Sequence, residues 1–230
     1  MQPHSLLFAT VLQLANLTAS PFTLVSEDYR SELIPRYLAA MEARKGAGEC
    51  LTAEVTVRAK LSSREAELRA VRSTSATGGV THRVLDSSGD ATVRREVIGR
   101  YLEAEDQAAQ LDEIAITPSH YRFHFLRTVL EAGRRVLIFQ LNPKQKRVGL
   151  FKGELWLDNQ TALPVRESGQ FVKSPSVFIK RIVFVREYHI EDGAAIPDRI
   201  AATVDTRLAG RAELSVQFDR VVLSTEPGCP

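Results

Sequence analysis

Apolar and polar residues alternate one by one along most of this chain, the pattern of strands with one dry and one wet face. Residues 50–61 show it most cleanly. Ala53, Val55, Val57, Ala59 and Leu61 point one way; Thr52, Glu54, Thr56, Arg58 and Lys60 point the other. Weaker alternation predicts strands over 65–72 and 80–85. From Tyr121 onward the pattern is all strand, over 121–129, 135–141, 148–158, 163–173, 177–190, 196–208 and 212–222. Gly133, Asn142-Pro143 and the run Asp158 to Pro164 supply the turn chemistry between them.

Two segments follow a helical period instead. In residues 31–45 the side chains of Leu33, Ile34, Tyr37, Leu38 and Met41 fall on one face, with Ser31 as the predicted cap and Gly46 as the stop. Residues 93–111 repeat the theme with Val97, Tyr101, Leu102 and Leu111, although Gly99 weakens the start. A helix with one apolar stripe packs on something, here the sheet. The expected class is α+β: a curved antiparallel sheet of about ten strands with two helices covering its concave face.

Residues 177–190 stand apart. Val177, Ile179, Val183 and Val185 make one apolar face; Phe178, Ile182, Phe184, Tyr188 and Ile190 make the other. A strand dry on both sides needs cover on both sides. Helices can supply one cover. The other falls to a tail, a partner or a ligand, so the strand predicts an apolar cavity. Phe178, Ile182, Phe184 and Tyr188 are its candidate lining, with Trp156, for which a core position is the better reading.

The hairpin Leu155-Trp156-Leu157-Asp158-x-x-Thr161-x-Leu163-Pro164-Val165-Arg166 resembles the strand–turn–strand unit of LolA-like outer-membrane lipoprotein-sorting proteins. The resemblance covers most of the chain after about Tyr29, with the hairpin as its motif-like part. It implies an open half-barrel whose helices, here with Leu33, Tyr37, Leu38 and Met41, form a lid over an apolar hollow. It also implies a lipid or lipoprotein acyl chain as cargo and an envelope transport protein as a second partner. This chain is longer than a typical carrier. No position matches the family's lid-holding arginine, so no cargo-binding residue is carried over.

Composition narrows the remainder. The chain has 230 residues, 44% hydrophobic and 25% charged, with a net charge of +2. Its cations are interspersed with acids, which argues against nucleic acid as the partner. The length suits a single domain over 26–225, preceded by an apolar segment over 1–25 and followed by a short tail over 226–230. The uncharged run Ser5 to Ala19 is too short to span a bilayer and reads as a signal peptide, hence a periplasmic or otherwise exported protein. The alternative is an N-terminal helix of the mature chain. Cys50 and Cys229 bracket the sheet; they are a disulfide that would pin the C-terminus to it, or two unrelated thiols.

No catalytic pattern emerges. There is no Gly-x-Ser-x-Gly elbow, dinucleotide fingerprint or phosphate loop. His120 and His124 sit about 13 Å apart on a strand, too far to share one metal. His82 and His189 are isolated in sequence. The expectation is a monomeric, non-enzymatic protein without cofactor or metal. Its runner-up is an interaction module using a sheet face or edge, and a hydrolase ranks third. Lys144, Lys146 and Arg147 form a basic hairpin tip. It suits anionic headgroups or an acidic partner, or simply a solvated edge.

Overall fold

A computed structural model describes residues 27–46, 48–75, 79–109, 114–207, 210–225 and 229. The N-terminal apolar segment therefore lies outside the described residues, as does most of the C-terminal tail.

Ten strands form one antiparallel sheet in the order β3-β2-β1-β10-β9-β8-β7-β6-β5-β4. They are β1 (Cys50–Leu61), β2 (Arg64–Thr74), β3 (Val80–Gly89), β4 (Tyr121–Glu131), β5 (Arg134–Pro143), β6 (Phe151–Asp158), β7 (Pro164–Phe171), β8 (Ile179–Glu191), β9 (Ala194–Thr206) and β10 (Arg211–Ser224). The chain meanders, except that β10 returns to pair with β1. The edges β3 and β4 never pair, so the sheet stays open as a half-barrel. Strand β8 starts at Ile179, which leaves Val177 and Phe178 in the preceding turn.

Helix α1 (Glu27–Gly46) begins a turn before the predicted start, and Ser31 lies inside it rather than capping it. Its first residues, Glu27, Asp28 and Arg30, are polar and carry no apolar period, so the stripe could not report them. Pro35 sits within the helix on an exposed position, where it removes one backbone hydrogen bond. The second helical segment links the two edge strands. It consists of α2 (Ala91–Val93), a π-helical stretch (Arg94–Gly99) and α3 (Arg100–Ala109). Asp90 caps it, its Oδ1 accepting from the Val93 N–H at 2.9 Å. The π-helical stretch contains Gly99, the residue that weakened the helical pattern.

Both helical segments cover the same face. The strand register shows this in one row of directly paired residues: Leu68, Val57, Val216, Ile200, Arg186, Glu167, Leu155, Phe139, Phe125. The row is aliphatic at one end, aromatic at the other and charged in the middle. Two apolar cores follow from it. Small residues Ala53, Ala59, Ala66 and Ala70, with Val57 and Val216, pack under Val93 and Ile98 of the second segment. Bulky residues Tyr121, Phe139, Phe151, Phe184 and Leu155 pack under Leu33 and Tyr37 of α1.

Gly153 and Gly169 face each other in the aromatic core. A Cβ on Gly153 would lie 1.8 Å from the Ser168 carbonyl oxygen, so only glycine permits this backbone approach. Phe184 stands against Phe151 at 4.9 Å and Phe171 at 5.1 Å between ring centres. Cys50 and Cys229 form a disulfide that ties the C-terminal end of the chain to the start of β1.

Candidate functional site

The site develops where the two cores meet, on the inner face of β7, β8 and β9. Strand β8 presents Ile182, Phe184, Arg186 and Tyr188 there by simple alternation. Phe184 is buried in the aromatic core. Ile182, Arg186 and Tyr188 are only half-buried, as are Ile200 and Val204 opposite them on β9. The apolar floor thus continues between the two helical covers without being fully closed.

Arg186 marks the opening. Its Nη1 lies 3.2 Å from Oε2 of Glu167, and its guanidinium sits over the Phe184 ring at 4.9 Å. The Glu167 side chain is 9% exposed and the Arg186 side chain 41%. The guanidinium is recessed among protein groups yet wetted from the open side. Solvent screening therefore leaves the pair a modest contribution to stability. Burial alone would disfavour the charged guanidinium, but the Glu167 carboxylate more than offsets this and keeps it protonated.

Tyrosines from both covers converge on this pair. Burial, then the Glu167 charge, pushes the Tyr37 hydroxyl of α1 well above its ordinary range. Tyr188 is raised by the same two causes in the same order. Tyr101 of α3 is raised by burial and then by Glu105. One turn further along α3, Glu105 is 2.9 Å from Arg72 Nε and 3.1 Å from His82 Nε2. Burial pushes the Glu105 carboxyl up, but hydrogen bonding to His82 and the Arg72 charge outweigh it, and the net shift is downward. The result is a polar seam between two greasy cores.

Helix α1 is tethered at two points over its core. Arg36 donates to the Gln160 carbonyl in the β6–β7 turn. Arg44 pairs with Glu49 at 2.5 Å and donates to the Ala195 carbonyl at 3.2 Å. The turn that receives Arg36 is the Asp158 hairpin. Its Oδ1 accepts from the Gln160 N–H, the Thr161 N–H and the Thr161 hydroxyl at 3.0, 2.8 and 2.9 Å. The Asp158, Thr161 and Leu163 positions of the hairpin thus shape the docking point of α1, with Ala162 and Leu163 buried beside it.

The other candidates are dispersed. Leu33 and Tyr37 are buried under α1, and Leu38 and Met41 are half-buried beside them. Trp156 is on the outer face, where Arg166 stacks on it at 5.2 Å and Glu154 accepts its Nε1–H at 2.8 Å. Phe178 is 60% exposed in the turn before β8. Lys144 donates to the Pro118 carbonyl and Arg147 to Gln145 at 3.3 Å. His82, isolated in sequence, joins the Glu105 cluster. Among the described residues no three His, Cys, Asp or Glu side chains gather to hold a metal, and no helix is long and apolar enough to cross a membrane.

Arg186 and Glu167 belong to no sequence motif. The signal was there: both occupy inward positions of otherwise apolar alternation. Among the described residues no helix covers the second face of β8, with Val183 and Val185. It floors a wide depression of about 670 Å³ shared with Ala201, Thr203, Ser215 and Arg58.

Solved structures align with most of this chain. A domain described as an outer membrane lipoprotein-sorting protein from Vibrio parahaemolyticus aligns over 85% of this chain and 93% of its own, at 13% identity and a TM-score of 0.47. A LolA superfamily protein from Nitrosomonas europaea aligns over 83% and 94%, at 11% identity and a TM-score of 0.40. A DUF1329 family protein from Desulfovibrio piger aligns over 83% and 91%, at 9% identity and a TM-score of 0.41. No family model and no curated protein matches the chain.

Proposed function

We propose that this protein is an exported, non-enzymatic carrier that holds an acyl chain of a lipid or lipoprotein on the inner face of β8 and β9. One observation carries the reading: the cover comes in two pieces, and the apolar floor between them is left half-buried beside a recessed, wetted Arg186. Each methylene that an acyl chain buries contributes about 0.8 kcal/mol, so Ile182, Ile200 and Val204 can retain a ligand without a polar motif. Arg186 would sit near the polar end of such a ligand. The disulfide supports an oxidising compartment, in keeping with export. An envelope protein that loads or unloads the ligand is the expected second partner.

The test is native mass spectrometry of the purified protein, with lipid extraction of the same sample. A lipid adduct that Ile182→Glu removes supports the reading. A protein that carries and takes up no lipid refutes it. The interaction-module alternative draws on the open outer depression along Val183 and Val185 and predicts a protein partner in place of lipid.

A further inference from the structure

Antiparallel order sends the β1–β2, β5–β6, β7–β8 and β9–β10 connections to one end of the sheet. Among the described residues, two of them raise large apolar side chains into solvent. Val177 and Phe178, between β7 and β8, are 78% and 60% exposed; Val148, between β5 and β6, is 42% exposed. The β7–β8 tip is a built turn. Phe178 N–H donates to Ser176 Oγ at 3.3 Å, and Ile179 N–H donates to the Ser176 carbonyl at 3.1 Å. Arg207, from the β9–β10 connection, braces it by donating Nε–H to the Val177 carbonyl and its backbone N–H to the Phe178 carbonyl, both at 2.8 Å.

Cations flank both tips. Lys173 and Lys180 are exposed beside Val177 and Phe178, and Lys144 and Lys146 are exposed beside Val148. Neither loop contains an acidic residue across 144–150 or 172–178. The nearby Asp205 is already engaged by Arg181 and Arg211. The opposite end of the sheet differs: its turns carry Glu131, Glu191 and Asp192.

We infer that this rim docks on a bilayer containing anionic phospholipid. Val177 and Phe178 enter the boundary between headgroups and acyl chains, and the lysines meet the lipid phosphates. Apolar tips on separate loops, ringed by cations, suit a fluid charged surface, where no fixed pocket has to be matched. The basic hairpin of residues 144–147 becomes part of this contact. The inference stands on exposure and charge alone and does not depend on a ligand in the inner cleft.

The experiment is co-sedimentation of the purified protein with phosphatidylglycerol/phosphatidylethanolamine vesicles and, in parallel, with pure phosphatidylcholine vesicles. Binding is expected to the anionic vesicles and to weaken with salt. Burying a Val or Phe side chain is worth roughly a factor of ten, so V177D/F178D should lose at least that much. The charge reversal K144E/K146E should lose a further factor of about ten or more at low salt. All four residues are exposed, so circular dichroism and melting temperature should match the parent. The inference is overturned if the parent ignores anionic vesicles, if phosphatidylcholine serves equally, or if folded V177D/F178D binds as the parent does. Ile182→Glu should leave vesicle binding intact, which separates this contact from the carrier reading.

Discussion

The two helical covers rest on opposite kinds of floor. Beneath α2 and α3 the sheet offers Ala53, Ala59, Ala66 and Ala70, so the helix lies close and Val93 and Ile98 are fully buried. Beneath α1 the sheet offers Tyr121, Phe139, Phe151 and Phe184, and the helix stands off on Leu33 and Tyr37. Small residues make a thin, fixed joint. Large aromatics make a thick layer whose helix is secured by long side chains at its margins, Arg36 and Arg44. One sheet thus seats one helical segment on small residues and the other on large aromatics. The polar seam of Arg186, Glu167 and the three tyrosines is the line between them.

The largest effect should come from breaking the aromatic layer. Phe184→Ala is expected to cost about 3–5 kcal/mol in denaturant unfolding. Hydrogen exchange should then rise in α1 and leave α3 near parent values. Equal loss of protection in both helices would erase the contrast. Next comes the disulfide. Cys50→Ser with Cys229→Ser opens a crosslink spanning 179 residues of sequence, and should lower stability by about 2–5 kcal/mol, read by the same titration.

Acid should find the α3 half of the molecule, whereas alkali should loosen both halves, because Tyr101 of α3 is raised as well. Tyr37 and Tyr188 have hydroxyls raised above an ordinary value near 10. A folded-state value above the unfolded one gives stability that is present below pH 10 and lost as pH rises beyond it. The α1 side should therefore loosen in alkali, and Tyr37→Phe should blunt that loss. Glu105 is lowered, so its contribution is present above the ordinary carboxylate range and lost as pH falls through it. The α3 side should weaken in acid, and Glu105→Gln should flatten the acid limb of a stability–pH curve. The smallest effect is expected from Arg36→Ala, about 0.5–1.5 kcal/mol for one hydrogen bond at the edge of α1. Exchange in α1 should report it before any global probe does.

Much of the architecture was legible in the sequence because an antiparallel sheet with one covered face writes its register as alternation. Residues 50–61 gave the bounds of β1 outright, and the Asp158 hairpin announced its turn. Helix α1 was visible only where its stripe touches the core. The site was harder to see. Apolar character alone places Phe178 with the strand, yet β8 begins one residue later and the side chain faces solvent. Trp156 lies on the face opposite Leu155 and Leu157, so its own alternation placed it outside. Arg186 and Glu167 sit in phase with the core on different strands, 19 positions apart in the chain; their meeting is a matter of β7–β8 register. Pairing partners emerge only when strands are laid side by side.

The central claim is that the half-buried floor between the two covers holds an acyl chain. Native mass spectrometry of the parent and of Ile182→Glu, purified side by side from cells, tests it most directly. A lipid-sized mass adduct is expected on the parent and is expected to be absent from a folded Ile182→Glu protein. A parent free of adduct even after incubation with extracted lipid, or an adduct that Ile182→Glu retains in full, would contradict it.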